Sequence, residues 1–410
     1  MATIEIPRLS NQPLHERRLD ARKAMCVPMS KRKLVVISDY QDGWPTAHAV
    51  SPKAERLRAW ASSLADEGVE SEAASHEIVV EGGYLERLPL ACLAHGLVDL
   101  AEIWSHWRGD GPPQVLPAPM PIKRRSFFLD GPDTPFSSND MLAHIEVYGA
   151  PSILCVWGLG VSEEILRACD RSYKIYNSID VPALRVPPSI SRHFDLVLTA
   201  SQAQTSEVQA RHPGMPCAIL PIGPEFASPT TFYPIETSKE YDLIYVAAAQ
   251  PYKRHDLLFA ALTQLPRSVR ALCLFGYGED AEALRQQAAA NGLNVDFVGP
   301  PGVPFAEVNR LMNSACMGVV CGIDDGAPAV LTEYMLAGLP VLANAALRCG
   351  LQYITPETGA VAAADEFHLG IADMLSRRHE FSPRAAALRD WTWPRSIEKL
   401  RHLIESYPQT

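Results

Sequence analysis

The chain has 410 residues, a formal net charge of −10, and ordinary shares of hydrophobic (47%) and charged (20%) residues. That length suits two or three domains. The acidic balance excludes a general nucleic-acid binder, and no apolar run approaches the ~18–20 residues that span a bilayer. The nine cysteines are odd in number and scattered, with no C-x-x-C pair; this argues against a disulfide scaffold or a cysteine-ligated zinc site and for a cytoplasmic protein.

Residues 1–32 form a basic leader that includes Arg17, Arg18, Arg22 and Lys23. It reads as a solvated, disorder-prone segment, and any membrane contact is at most peripheral, because no amphipathic helix accompanies the charge. A first domain is expected over 33–227. Leu34–Ser38 is its first strand, followed by a loop over Asp39–Ala49 and a helix over Glu55–Asp66 that Gly68 ends. In an α/β domain this loop opens onto the ligand crevice. Asp39, Gly43 and His48 are therefore candidates for the acceptor side, although Asp-Gly and Trp-Pro pairs also mark ordinary turns.

Residues 80–107 carry a helical pattern, with Trp104 and Trp107 as core residues. Gly109–Pro121 is a proline-rich connector, and Lys123-Arg124-Arg125 reads as a solvated loop edge. Ser152–Trp157, Tyr173–Ser178 and Phe194–Ser201 are further strands. Asp180 closes the carboxyl end of one of them and joins the acceptor-side candidates. The polar, proline-bearing stretch 228–240 is the expected linker.

A second domain is expected over 241–393, with a last helix in 394–410. Its strands are Tyr241–Ala248, Leu272–Phe275, Val295–Gly299 and Met317–Cys321. After the last comes Asp325–Pro340, DGAPAVLTEYMLAGLP. Pro328 suits the first turn of a helix, Gly338 its C-terminal cap, and Pro340 its stop. Between Asp325 and Arg348 the only charged residue is Glu333. An all-apolar helix is buried, and a buried carboxylate needs hydrogen-bond donors or a cation. Ribose hydroxyls would serve, and the N–H groups of Val330, Leu331 and Thr332 would face a diphosphate. The competing reading is a buried helix whose Glu333 is held in a salt bridge. The expected fold is α/β, with two Rossmann-like doubly wound domains facing a cleft.

Asp325, seven residues, Glu333, and then Ala337-Gly338-Leu339-Pro340-Val341 together resemble the family-4 retaining glycosyltransferases of GT-B fold. The resemblance spans about 195–405. It implies that Asp325 positions the transferred sugar, that Glu333 holds the ribose, and that Lys253 grips the donor phosphates. It also implies that Gly276, Gly278 and Gly299 let backbone approach the donor, and that the last helix crosses back to the first domain. Two departures stand out: Asp325 replaces the usual glutamate, and Ala248 occupies the place of a phosphate-binding arginine, for which Arg254 is the nearest substitute. No D-x-D sequence occurs, so phosphate charge is expected to be met without a metal or other cofactor. The expected function is transfer of a sugar from a nucleoside-diphosphate donor to an unidentified saccharide, glycolipid or small natural product. The alternatives are a catalytically weak sugar-nucleotide-binding or scaffold protein, or a sugar-nucleotide epimerase of the same fold.

Overall fold

The computed structural model describes residues 31–42, 78–108, 121–326 and 328–407. The basic leader, Gly43, His48 and the helix expected over Glu55–Asp66 lie outside the described residues. The described chain forms two parallel sheets. The first holds β1 (Lys33–Asp42), β2 (Leu100–Trp107), β3 (Lys123–Phe128), β4 (Ile153–Trp157), β5 (Tyr173–Asn177), β6 (Leu196–Thr199) and β7 (Cys217–Ile219) in the order β3-β2-β1-β4-β5-β6-β7. The second holds β8 (Tyr241–Val246), β9 (Ala271–Leu274), β10 (Val295–Val298), β11 (Ala315–Val320), β12 (Val341–Asn344) and β13 (Gly359–Ala362) in the order β10-β9-β8-β11-β12-β13.

Both sheets are covered on two faces, as parallel sheets must be, and so central strands such as β4 and β11 are continuous apolar runs. In β1, Leu34 and Val36 enter one core while Val35 and Ile37 enter the other. In β4, Ile153, Cys155 and Trp157 face one way and Leu154 and Val156 the other. In each sheet the strand order reverses at one place, between β1 and β4 and between β8 and β11. Such a reversal splays the loops at the carboxyl ends of the strands and leaves a crevice there.

The helical reading of 80–107 holds only for its first half. A helix spans Tyr84–Ala94, but Gly96 takes a left-handed conformation (φ 72°) and Leu100–Trp107 is a strand. Trp104 on that strand is fully buried. Lys123-Arg124-Arg125 is not a loop edge. It lies on β3, the edge strand, where Arg124 pairs with Glu86 and Arg125 forks onto Glu102 at 2.7 and 3.3 Å.

Residues 228–240 run along the second domain, where Asn309 accepts from the Tyr233 amide (3.1 Å) and Asn313 from that of Ile235 (2.8 Å). The last helix, Trp393–Ser406, returns to the first domain and places Ile397 and Leu400 in its core. Where the halves meet, buried Glu225 accepts from Ser396 (2.9 Å) and Lys399 (3.2 Å). One helix is thus shared between the two domains, which ties their relative position to the core of the first.

Two histidines lie deep in the cores with no hydrogen-bond partner on either ring nitrogen among the described residues. His106 packs on the Phe136 ring, and His255 lies between Tyr245 and Phe275. Burial disfavours the charged imidazole and holds each at about 4, against an ordinary value of 6.5. A depressed folded-state value means that the unfolded chain binds the proton first. The stability is therefore complete above pH 6.5 and is lost as the pH falls toward 4. Between pH 7.5 and 5 we expect a loss of about 2 kcal/mol per histidine in urea unfolding. In the His106→Phe, His255→Phe double variant the loss should shrink by most of that amount; an unchanged acid response would contradict the assignment.

Candidate functional site

The loops after β8 and β11 meet at the reversal point of the second sheet. The Ile323 amide donates to the Tyr252 carbonyl (3.3 Å), and Gly322 packs against the backbone of Tyr252 and Lys253. This contact sets Lys253, from the first loop, against Asp325, from the second, and the two form an ion pair. Both are largely buried, with side-chain exposures of 16% and 10%. The Lys253 ammonium also lies 4.9 Å from the centre of the Tyr252 ring.

A short helix, Val330–Leu336, follows Asp325. It is buried on almost every side, as its apolar sequence requires. Its Tyr334 hydroxyl accepts from the Val246 amide (2.7 Å) and donates to the Ile244 carbonyl (3.2 Å), pinning the helix to β8. Gly318 on β11 makes room for that ring: a Cβ there would come within 2.4 Å of it. With Tyr334 fixed inward, Glu333 is turned toward the first domain.

There it meets Arg87, which sits on the helix Tyr84–Ala94 and pairs with it. Side-chain exposures are 6% for Arg87 and 10% for Glu333. Arg87 also donates to the carbonyls of Gly82 (3.1 Å) and Gly223 (2.7 Å). The competing reading of Glu333, a buried residue held in a salt bridge, is the one the structure shows, and the bridge crosses between the domains. Other contacts cross beside it. The Ala329 amide donates to the Tyr84 hydroxyl (3.4 Å), Thr332 to the Pro224 carbonyl (2.7 Å) and Gln352 to the Ala200 carbonyl (2.8 Å). Gly326 lies against the backbone of Ile179.

The remaining candidates divide into three groups. In the helix turn, the Leu331 amide is bonded to the Pro328 carbonyl, Leu331 and Thr332 are fully buried, and Val330 is partly exposed. Arg254 lies in a left-handed conformation (φ 52°) and forks onto Asp256 at 2.8 Å. The glycines bring loops close to one another: a Cβ on Gly278 would strike Ala249 backbone at 2.2 Å, one on Gly299 the Phe275 carbonyl at 2.0 Å, and Gly276 accepts from the Gly302 amide (3.0 Å).

On the first domain, Asp39 stands at the end of β1 against Gly158, at the other reversal point, and accepts from the Leu159 amide (3.4 Å). Burial raises its carboxyl above the ordinary carboxylate value, the Leu159 amide opposes this, and nearby Asp180 adds to it. Asp180 itself pairs with Arg185 at 3.1 Å. The structure thus gathers Asp39 and Asp180 on one side of the cleft and Lys253, Asp325 and Glu333 on the other. A recess of about 540 Å³ lies beside Asp180, lined by Asp180, Val181, Pro182, Arg185, Asp324 and Arg348; Asp39, Lys253, Asp325 and Glu333 do not line it. Arg87 and Tyr84 were not singled out from the sequence. The available signal was a pair of charged residues, Glu86 and Arg87, at the head of the otherwise apolar run LERLPLACLA.

Two facing doubly wound domains joined by a returning helix are the architecture of the GT-B glycosyltransferases. Residues 233–386 match the family described as glycosyl transferases group 1. No curated protein matches the sequence. Among solved structures, HepE of Anabaena in complex with UDP is similar at 16% identity, over 91% of this chain and 100% of that one, with a TM-score of 0.62. The lipopolysaccharide outer core galactosyltransferase WaaB is similar at 15% identity over 91% and 99%, with a TM-score of 0.60. The pneumococcal O-GlcNAc transferase GtfA, in complex with UDP and GlcNAc, is similar at 12% identity over 66% of this chain, with a TM-score of 0.53. The chain spans only 61% of GtfA's length. At these identities the likeness is one of fold.

Proposed function

We propose that the protein moves a sugar from a nucleoside-diphosphate donor, held by the second domain, to an acceptor held by the first. The observation that carries this reading is the pair of buried carboxylates, Asp325 and Glu333, each matched to a cation: Lys253 within the second domain and Arg87 from the first. A buried ion pair is a poor way to gain stability, but it is a good way to store groups that a ligand can use. Sugar and ribose hydroxyls would donate to the two carboxylates, and the diphosphate would take Lys253. The cation then acts where charge develops, on the departing phosphate oxygen.

In this reading Asp325 orients the sugar and Glu333 the ribose, while Asp39 and Asp180 face the acceptor. The acceptor proton passes to the departing phosphate, with retention at the anomeric carbon. UDP, present in complexes of two neighbours, is the first nucleotide to test. The protein is expected to release nucleoside diphosphate from at least one UDP- or GDP-sugar, and to do so in excess EDTA. Loss of turnover with chelator and its recovery with magnesium or manganese would contradict the metal-free part. No turnover of any donor, with nucleotide still bound, would select a binding protein.

A further inference from the structure

We propose that Arg87 is the second phosphate cation of the donor site, lent by the first domain and held on Glu333 until a diphosphate takes it. This rests on the donor reading above and adds a residue to it. The argument begins with charge. The donor-free site holds two acids and two bases, paired one to one: Asp325 with Lys253 and Glu333 with Arg87. A diphosphate brings at least two negative charges and the ribose brings only hydroxyls. If Lys253 alone moved to the phosphates, their oxygens would have a single charged donor, while Glu333 kept Arg87 from them.

The other cations near the site are also paired, and each is more exposed than Arg87. Arg254 is fixed in a left-handed turn on Asp256. Arg348 and Arg185 pair with Asp324 and Asp180, with side-chain exposures of 62% and 41%. Arg87 is buried, and its planar fork suits phosphate oxygens as well as a carboxylate. Its Nε and Nη1 remain bonded to Gly82 and Gly223 while Nη2 reaches across to Glu333. Exchange of one partner at Nη2 therefore leaves the side chain anchored. The exchange leaves hydrogen-bond partners on both sides: phosphate replaces carboxylate on Arg87, and ribose hydroxyls donate to Glu333 in place of Arg87. Because the anchor is the first domain, the same contact ties the donor to the closed arrangement of the halves.

The test is calorimetric titration of the full chain with UDP and UMP, and with GDP and GMP. In Arg87→Gln the diphosphate should bind roughly 10- to 100-fold more weakly, the range for a hydrogen bond to a charged group. The monophosphate should change less than about threefold, so that the preference for diphosphate collapses. Arg87→Lys should keep part of it. Thermal midpoints of the free variants show whether each is folded. If Arg87→Gln is not, Glu333→Gln carries the test. It leaves Arg87 in place with a weaker partner, so the preference for diphosphate should rise severalfold while overall affinity falls. An unchanged preference in the variants overturns the proposal, and so does tighter diphosphate binding in Arg87→Gln, the mark of a plain latch. A wild-type protein that binds none of the four nucleotides removes the donor reading itself. One that binds them with a preference indifferent to Arg87 removes only this assignment.

Discussion

Replacing Glu333 with alanine should make the donor-free protein about 3–5 kcal/mol easier to unfold, the usual cost of breaking a buried pair from one side. The reason lies in what remains. Arg87 is 5% exposed, and without the carboxylate its charge has two carbonyls for partners and no counter-charge. Glu333→Gln keeps an acceptor at the same place and should lose less. The alanine change should nearly abolish stabilisation by nucleotide, which for the wild type at a hundred times its dissociation constant is about 2.7 kcal/mol. The two effects are separable in urea titrations with and without ligand. If the alanine variant unfolds like the wild type, the bridge does not hold the halves. If ligand stabilises it as fully as the wild type, Glu333 does not touch the nucleotide.

Gly326→Ala should part the domains and stop transfer. A Cβ at this position would lie 2.2 Å from the Ile179 carbonyl oxygen and 2.8 Å from the Asp180 carbonyl carbon. Those atoms are backbone, so no side chain can swing aside, and the contact can be relieved only by moving one domain against the other. Displacements near 1 Å at a reacting centre cost roughly 100-fold in rate, and we expect a loss of at least about that size in kcat/KM. The contacts made within the second domain survive, so UMP affinity should stay within about threefold. Small-angle scattering should show a larger radius of gyration than for the wild type. Wild-type turnover in this variant would mean that the closed contact between Gly326 and Ile179 is not the working geometry.

Much of the fold was legible because parallel strands buried on both faces leave continuous apolar runs, as at Leu34–Ser38 and Met317–Cys321. The helix Val330–Leu336 was legible for the opposite reason: a single acid, Glu333, in an apolar stretch has to be explained. The strand Leu100–Trp107 was misread because it follows a true helix without a proline between them; Gly96, in its left-handed turn, was the break to notice. The Arg124 and Arg125 side chains looked solvated, but their partners Glu86 and Glu102 come from other segments, the helix Tyr84–Ala94 and β2. Arg87 is the extreme case, since its partner lies 246 residues away. Local sequence shows that an arginine in LERLPLACLA must find an anion. It does not show which one, because that follows from how two separate sheets are set face to face.

The central claim is that the place where Lys253, Asp325 and Glu333 of the second domain meet Arg87 of the first receives a nucleoside diphosphate. Calorimetric titration of the wild-type protein with UDP and with GDP tests it directly. The account predicts saturable binding of one of them, weakened roughly tenfold or more by Lys253→Ala, the loss expected for one charge-assisted contact. Absence of binding by both, or binding that Lys253→Ala leaves untouched, would contradict it.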